Sequence, residues 1–285
     1  MKYVESIMYE FINKIYSSKM YMKRLVLLFR VWRKIASLAM QDQTLTSWGT
    51  IAFLFGKVVR FLLFFVFLFS VLGEAKSLAG FTIEQVIVFF LVFNIVDITS
   101  QGLFRGVYQF RPIIISGAFD YDLLKPLPSF FRPLFGWSDI ADFITLIPLW
   151  IGFIYFLVSH SIVDGIFSYV LFIFMMISSF VIAFAFHLFV SAFGVISTEV
   201  DHLIWVYRDM TGMGRFPTDI YPKFIQIGLT FFVPVIILVT IPAKAILGIL
   251  SAQAVLVSIG ISIIFLFFSL WFWKKSLSFY SSASS

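Results

Sequence analysis

RGVYQFRPIIISGAFDYDLLKPLPSFFRPLFGW, Arg105 to Trp137, is a long polar interruption between apolar runs of membrane-spanning length. Its centre, Ser116 to Lys125, reads as one short capped helix. Ser116 stands where an N-cap is needed, Asp120 and Asp122 lie toward the positive N-terminal end, and Lys125 sits at the negative C-terminal end. Pro126 cannot continue the hydrogen-bond ladder and biases Lys125 out of helical geometry, so the helix is expected to stop there. Phe119 and Leu123 are spaced i,i+4 and share a face, with Leu124 at its edge. Such a face, outside a bilayer, either receives a partner protein or packs back on the chain's own spans. The helix alone leaves both open.

Around this loop the chain is 61% hydrophobic and 13% charged, with 39 phenylalanines, far from the ~25% charge of a soluble domain. Repeated apolar runs near ~20 residues predict an all-α, polytopic integral membrane protein with six transmembrane helices. The expected spans are about Trp48–Leu72, Glu84–Phe104, Ser138–Ser159, Asp164–Val195 (long enough to tilt, kink or break at Gly194), Lys223–Ile241 and Ala252–Trp273. Residues 1–47 form a cytoplasmic or interfacial segment, 48–273 the permeating domain with its cytoplasmic loop 105–137, and 274–285 a cytoplasmic tail. No internal repeat or linker marks a second domain. Lys14, Lys19, Lys23 and Arg24 precede any apolar run, so no cleavable signal is expected.

Within the first segment, Leu25, Leu28, Phe29, Trp32, Ile35, Ala36 and Ala39 share one helical face. Lys23, Arg30, Arg33, Lys34 and Ser37 occupy the other. That is the pattern of a helix lying in the membrane surface, basic side toward lipid headgroups; docking on a soluble partner is the alternative. Lys and Arg then alternate along the chain: eight in residues 1–47, four in the central loop, three in the segment from Ser197 through Lys223, and two in the tail. The intervening loops hold one, none and one. Both termini are therefore expected in the cytoplasm, and the net charge of +6 belongs to membrane topology rather than to nucleic acid. The segment Ser197 to Pro222 carries Glu199, Asp201, Arg208, Asp209, Arg215 and Asp219. Pro234 and Pro242 allow span five to be a re-entrant pair of short helices instead, with the true fifth span nearer 198–216. Asp201 and Arg208 would then lie within the membrane.

Catalytic patterns are missing from the sequence. There is no cysteine, no G-x-x-x-x-G-K-[ST] phosphate loop, and no Ser–His–acid arrangement. His160, His187 and His202 do not have metal-ligand spacing, and no cofactor or metal is expected. The intramembrane charges are the other candidates. Lys57 and Arg60 are i,i+3 in span one and Asp97 lies in span two at a similar depth, so a Lys57–Asp97 or Arg60–Asp97 pair is expected. It would either line a substrate path or act as a packing clamp.

The central loop reads I-x-G-x-F-D-x-x-L-L-x-P-L through Ile115, Gly117, Phe119, Asp120, Leu123, Leu124, Pro126 and Leu127. In this it resembles the permeases of type-2 ABC transporters, the six-span exporter class. The match continues, in order, with Tyr221-Pro222, Phe232-Val233-Pro234-Val235, Pro242, Leu247-Gly248 and Tyr280-Ser281-Ser282-Ala283. The resemblance implies that the helix at 21–40 is a connecting helix. It implies that the loop helix, through Phe119, Asp120, Leu123 and Leu124, couples to a separate ABC ATPase subunit that hydrolyses the ATP. It also implies a second permease, identical or related, in a bacterial plasma membrane, and re-entrant helices on Tyr221–Gly248. The rival classes are an ATPase-independent carrier or channel and a membrane-embedded enzyme. An apolar, aromatic interior suits an amphipathic or lipid-like cargo.

Overall fold

The computed structural model describes residues 23–41, 43, 47–75, 77–163, 165–197 and 200–281. Among these the architecture is all-α, the only extended pairing being a bridge between Leu78 and Phe81. The helices are α1 (23–41), α2 (Ser47–Ala75), α3 (Ile83–Leu103), α4 (Phe110–Ile115), α5 (Ala118–Leu123), α6 (Phe131–Phe135), α7 (Ile140–Ser159), α8 (Ile166–Ser197), α9 (Val200–Gly212), α10 (Lys223–Phe231), α11 (Ile241–Ile246) and α12 (Ala252–Ser276). Four of them, α3, α7, α8 and α12 with its terminal turn, are long and apolar enough to cross a membrane. At ~1.5 Å per residue the 29-residue α2 also has spanning length. Residues 1–22, Lys76, Asp164, Glu199 and 282–285, which figure in the charge and span expectations, lie outside the described residues.

α3 is the centre of the bundle. Every residue from Val86 to Val96 is buried, the mark of a helix packed on all sides. Its start is fixed by a capping box, in which Thr82 Oγ accepts from the Gln85 amide at 3.4 Å and Gln85 Oε1 accepts from the Thr82 amide at 3.1 Å. Around it α7 exposes Ile144, Ile147, Ile151, Ile154 and Val158, an i,i+3/i,i+4 stripe suited to lipid or a partner chain. α8 is one continuous 32-residue helix. Gly194 is buried inside it and neither breaks nor ends it, so the expected end of span four near Val195 moves outward.

The path after α8 corrects the expected fifth span. α9 folds back along α8, with Tyr207 stacked on Phe186 at 4.4 Å and Ile204, Tyr207 and Thr211 turned inward. Residues 223–241 then form no straight helix: Lys223–Phe231 and Ile236–Ile246 meet at 85°, with Pro234 at the bend. Thr218 Oγ lies 2.9 Å from Thr240 Oγ, and Lys244 bonds Asp219 at 2.8 Å. Asp219, four residues before the first arm, thus touches the last turn of the second, so the bent pair is a broken span or a re-entrant loop. Pro242 does not end a helix; it occupies the first turn of α11, where its missing N–H costs nothing.

α1 turns Ala36 and Ala39 onto the chain, with Trp32 edge-on to Phe143 of α7 at 6.4 Å, while Leu25 and Phe29 stay exposed. Gln43 ties this segment to the start of α7, donating to the Ser138 carbonyl at 2.8 Å and accepting from the Ile140 amide at 3.0 Å.

The central loop closes on α6 without a gap. A Cβ on Gly106 would stand 2.7 Å from the Pro133 carbonyl oxygen and 2.8 Å from those of Arg132 and Leu134. Backbone cannot move aside as a side chain can. Gly106→Ala should therefore destabilise by about 1–3 kcal/mol, measured as a lower Tm in detergent. Gly102→Ala, whose nearest neighbour is 3.5 Å away, should melt like the parent; equal Tm values for both would show that α6 yields.

Candidate functional site

Two arrangements carry chemistry: the loop helix outside the spans and a layer of charge within them. The loop helix is shorter than the sequence suggests. α5 begins at Ala118, after Gly117 in the left-handed conformation at φ 72°, and no side chain caps it. Ser116 instead donates back to the Ile113 carbonyl at 3.3 Å. The left-handed position needs a glycine and takes over the role expected of a serine N-cap.

The shared face expected of Phe119 and Leu123 is split. Phe119 is fully buried, edge-on to Phe110 at 5.2 Å, to Tyr280 at 5.2 Å and to Trp273 at 6.3 Å. It is the bolt that fastens α5 to the end of α12, not a surface group. Trp273 also donates to Ser129 Oγ at 2.9 Å. Asp120 is half-buried beside Tyr280; burial and then the Asp120 carboxylate push the Tyr280 phenol up to about 12. Asp122 is buried and bonded to Lys125 at 2.8 Å and Arg132 at 3.0 Å, which locks α5 to α6. Leu123 is 40% exposed, Tyr121 71% and Leu124 83%. The outward face is thus Tyr121, Leu123 and Leu124, with Ile115 from α4 beside it. Tyr121 was not among the residues singled out in the sequence. Its signal was available: it lies two positions from Phe119, about 200° around a helix.

Within the spans, Lys57 does not meet Asp97. Its Nζ lies 2.7 Å from Asp142 Oδ1, with Asp142 only 1% exposed. Arg105 stands 3.6 Å from the other Asp142 oxygen and 2.9 Å from Asp139, and Asp139 caps α7 through the Ala141 amide at 2.9 Å. These two cations and two carboxylates join α2, the turn after α3, and the start of α7. Comparing depth along α2 and α3 does not reach this pair, because Asp142 lies in the first turn of α7. Asp97 sits in a different layer, in the electrostatic reach of Arg60 together with Arg208 and Arg215. His187 has its Nδ1 2.7 Å from the Ala183 carbonyl oxygen and is an interior residue of α8. Among the described residues no group of His, Cys, Asp and Glu could hold a metal ion.

A cavity of about 660 Å³ opens between α2, α3 and α7, lined by Leu62, Phe65, Leu91, Pro148 and Phe156, with Lys57 at its rim.

The sequence model of a family described as ABC-2 family transporter protein matches residues 54–284, which includes every element of both arrangements. The chain belongs to the ABC-2 transporter family. It is therefore an ABC-transporter permease, a multi-pass membrane protein. Searches of curated proteins and of solved structures matched none.

The permease's buried pair gives a direct test. Asp142→Ala strands Lys57 and leaves Arg105 half-compensated, a change that costs about 3–5 kcal/mol in buried settings. Lys57→Met combined with Asp142→Leu should recover much of that loss. Detergent melting temperatures that simply add across the cycle would show that the two groups are not coupled.

Proposed function

We propose that this permease is the transmembrane subunit of an exporter for amphipathic or lipid-like molecules, driven by a separate ABC ATPase that docks on α5. The observation that carries the reading is the division of labour on that helix. Phe119 and Asp122 hold it rigidly to α12 and α6, and this leaves Tyr121, Leu123 and Leu124 exposed beyond the spans with nothing among the described residues to cover them. Burying Tyr121 and Leu124 in a partner's groove would contribute about 1.5–3 kcal/mol each. A push on α5 would travel to α12 through the Phe119–Trp273 contact. Two permeases and two ATPases form the working unit, in the plasma membrane with both termini cytoplasmic; ATP-driven closure of the ATPases switches the permeases between inward and outward access. The apolar cavity beside α2, of the size that ligand sites have, supports an amphipathic cargo.

Tyr121→Asp combined with Leu124→Asp should abolish co-purification of the ATPase and transport-linked ATP hydrolysis while membrane abundance stays normal. The loss of roughly 3 kcal/mol corresponds to more than a hundredfold in affinity. Phe119→Asp should behave differently, lowering abundance because the charge has no partner in its aromatic pocket. Retention of the ATPase by the Tyr121/Leu124 variant would overturn the docking site and revive the carrier or channel reading.

A further inference from the structure

The two charged layers differ in balance. Lys57 and Arg105 are matched by Asp139 and Asp142. In the neighbouring layer Arg60, Arg208 and Arg215 lie in reach of Asp97, three cations against one carboxylate among the described residues. Packing places them independently of charge. Phe64, one turn along α2 from Arg60, stacks on Phe90 of α3 at 3.6 Å and meets Phe216 at 5.5 Å. Arg215 adjoins Phe216 and lies 5.5 Å over Phe93, one turn from Asp97. Arg208 lies 5.0 Å over Trp205 and 6.0 Å over Tyr108 and lines, with Asp97, a common void. Among the described residues none of the three arginines has a carboxylate within 4 Å. Asp209, the next residue on α9, is exposed and about 100° around the helix from Arg208. Asp219 is taken by Lys244.

Arg60 lies roughly 20 Å along α2 from its first residue, near the middle of that helix. Uncompensated guanidinium groups at such a position are expensive unless water or a counter-anion reaches them. The void between Asp97 and Arg208 holds only about 10 Å³, room for a single water, so an anion cannot be enclosed there. The open side is where Arg60 and Arg215 are exposed and Arg208 is half-exposed behind them. Arginine presents a planar fork that matches phosphate oxygens.

We propose that Arg60, Arg208 and Arg215 form a binding site for a phosphate-type anionic head group, which makes the cargo of this permease an anionic amphiphile. Asp97 stands in the site as its one repulsive group and weakens binding so that the anion can leave again. The proposal rests on the exporter reading for its consequence, but its test needs no ATPase.

Full-length permease in mild neutral detergent is titrated with dihexanoyl phosphatidate and, separately, with inorganic phosphate. Arg60→Gln and Arg208→Gln should each weaken phosphatidate binding at least tenfold, and Asp97→Asn should tighten it several-fold, a gain that a purely structural carboxylate would not give. Lys244→Gln, on the bent pair, should leave it unchanged. If phosphatidate binds and inorganic phosphate does not compete, the head group of an amphiphile is the source; competition assigns a soluble phosphate and overturns the amphiphilic cargo. Unchanged affinity in both arginine variants, equal loss in Lys244→Gln, or no gain in Asp97→Asn overturns the anion site. Should an arginine variant fail to fold, the Asp97→Asn arm decides alone. If the unmutated permease binds no phosphatidate yet co-purifies with its ATPase, only this site falls; if it binds phosphatidate but co-purifies with no ATPase, only the docking surface falls.

Discussion

The ion pair between Lys57 and Asp142 fixes more of this molecule than any other single contact. A lysine inside a span is tolerated only when paired or drawn toward water, and here its partner is held from both sides. Arg105 approaches the second oxygen of Asp142, and Asp139, the cap of α7, holds Arg105. Three elements far apart in sequence are thereby set at one level: the middle of α2, the end of α3 and the first turn of α7. The Gln43 clamp on Ser138 and Ile140 adds α1 to the same corner. With that corner fixed, the loop between α3 and α7 has both ends anchored, and Gly106 lets its two halves close to backbone contact.

The loop helix depends on the same economy. A six-residue helix has too few internal hydrogen bonds to persist alone. α5 persists because Phe119 is clasped by aromatic rings from α4, α12 and the tail, and because Asp122 is neutralised by Lys125 and Arg132. The side chains that make it rigid are therefore not the ones it offers to a partner.

Much of this was legible in the residues. The spans follow from length and hydropathy, the basic–apolar division of α1 from its period, and the stop after α5 from Pro126. Pro234 and Pro242 allowed a straight span or a bent pair; the 85° bend excludes the straight one, and the contacts of Thr218 with Thr240 and Asp219 with Lys244 hold the bend. Tertiary choices were not legible. The i,i+4 spacing of Phe119 and Leu123 is the same whether the phenylalanine faces a partner or α12, and only the ring of Phe110, Trp273 and Tyr280 settles it. Depth counting on α2 and α3 offered Asp97 to Lys57 or Arg60; Arg60 is the one in its reach, while Lys57 meets Asp142 on a third helix that such counting did not compare.

The pair of arms bent at Pro234 has an electrical consequence. From Phe224 to Ala243 there is no ionisable side chain, while Asp219 and Lys244 neutralise each other at its base. Carrying one elementary charge through a membrane potential takes about 2.3 kcal/mol per 100 mV. Any movement of these arms about Pro234 therefore displaces no ionisable side chain between Phe224 and Ala243 and does no work against a voltage there. Such work falls instead on whatever shifts α9, which carries Arg208.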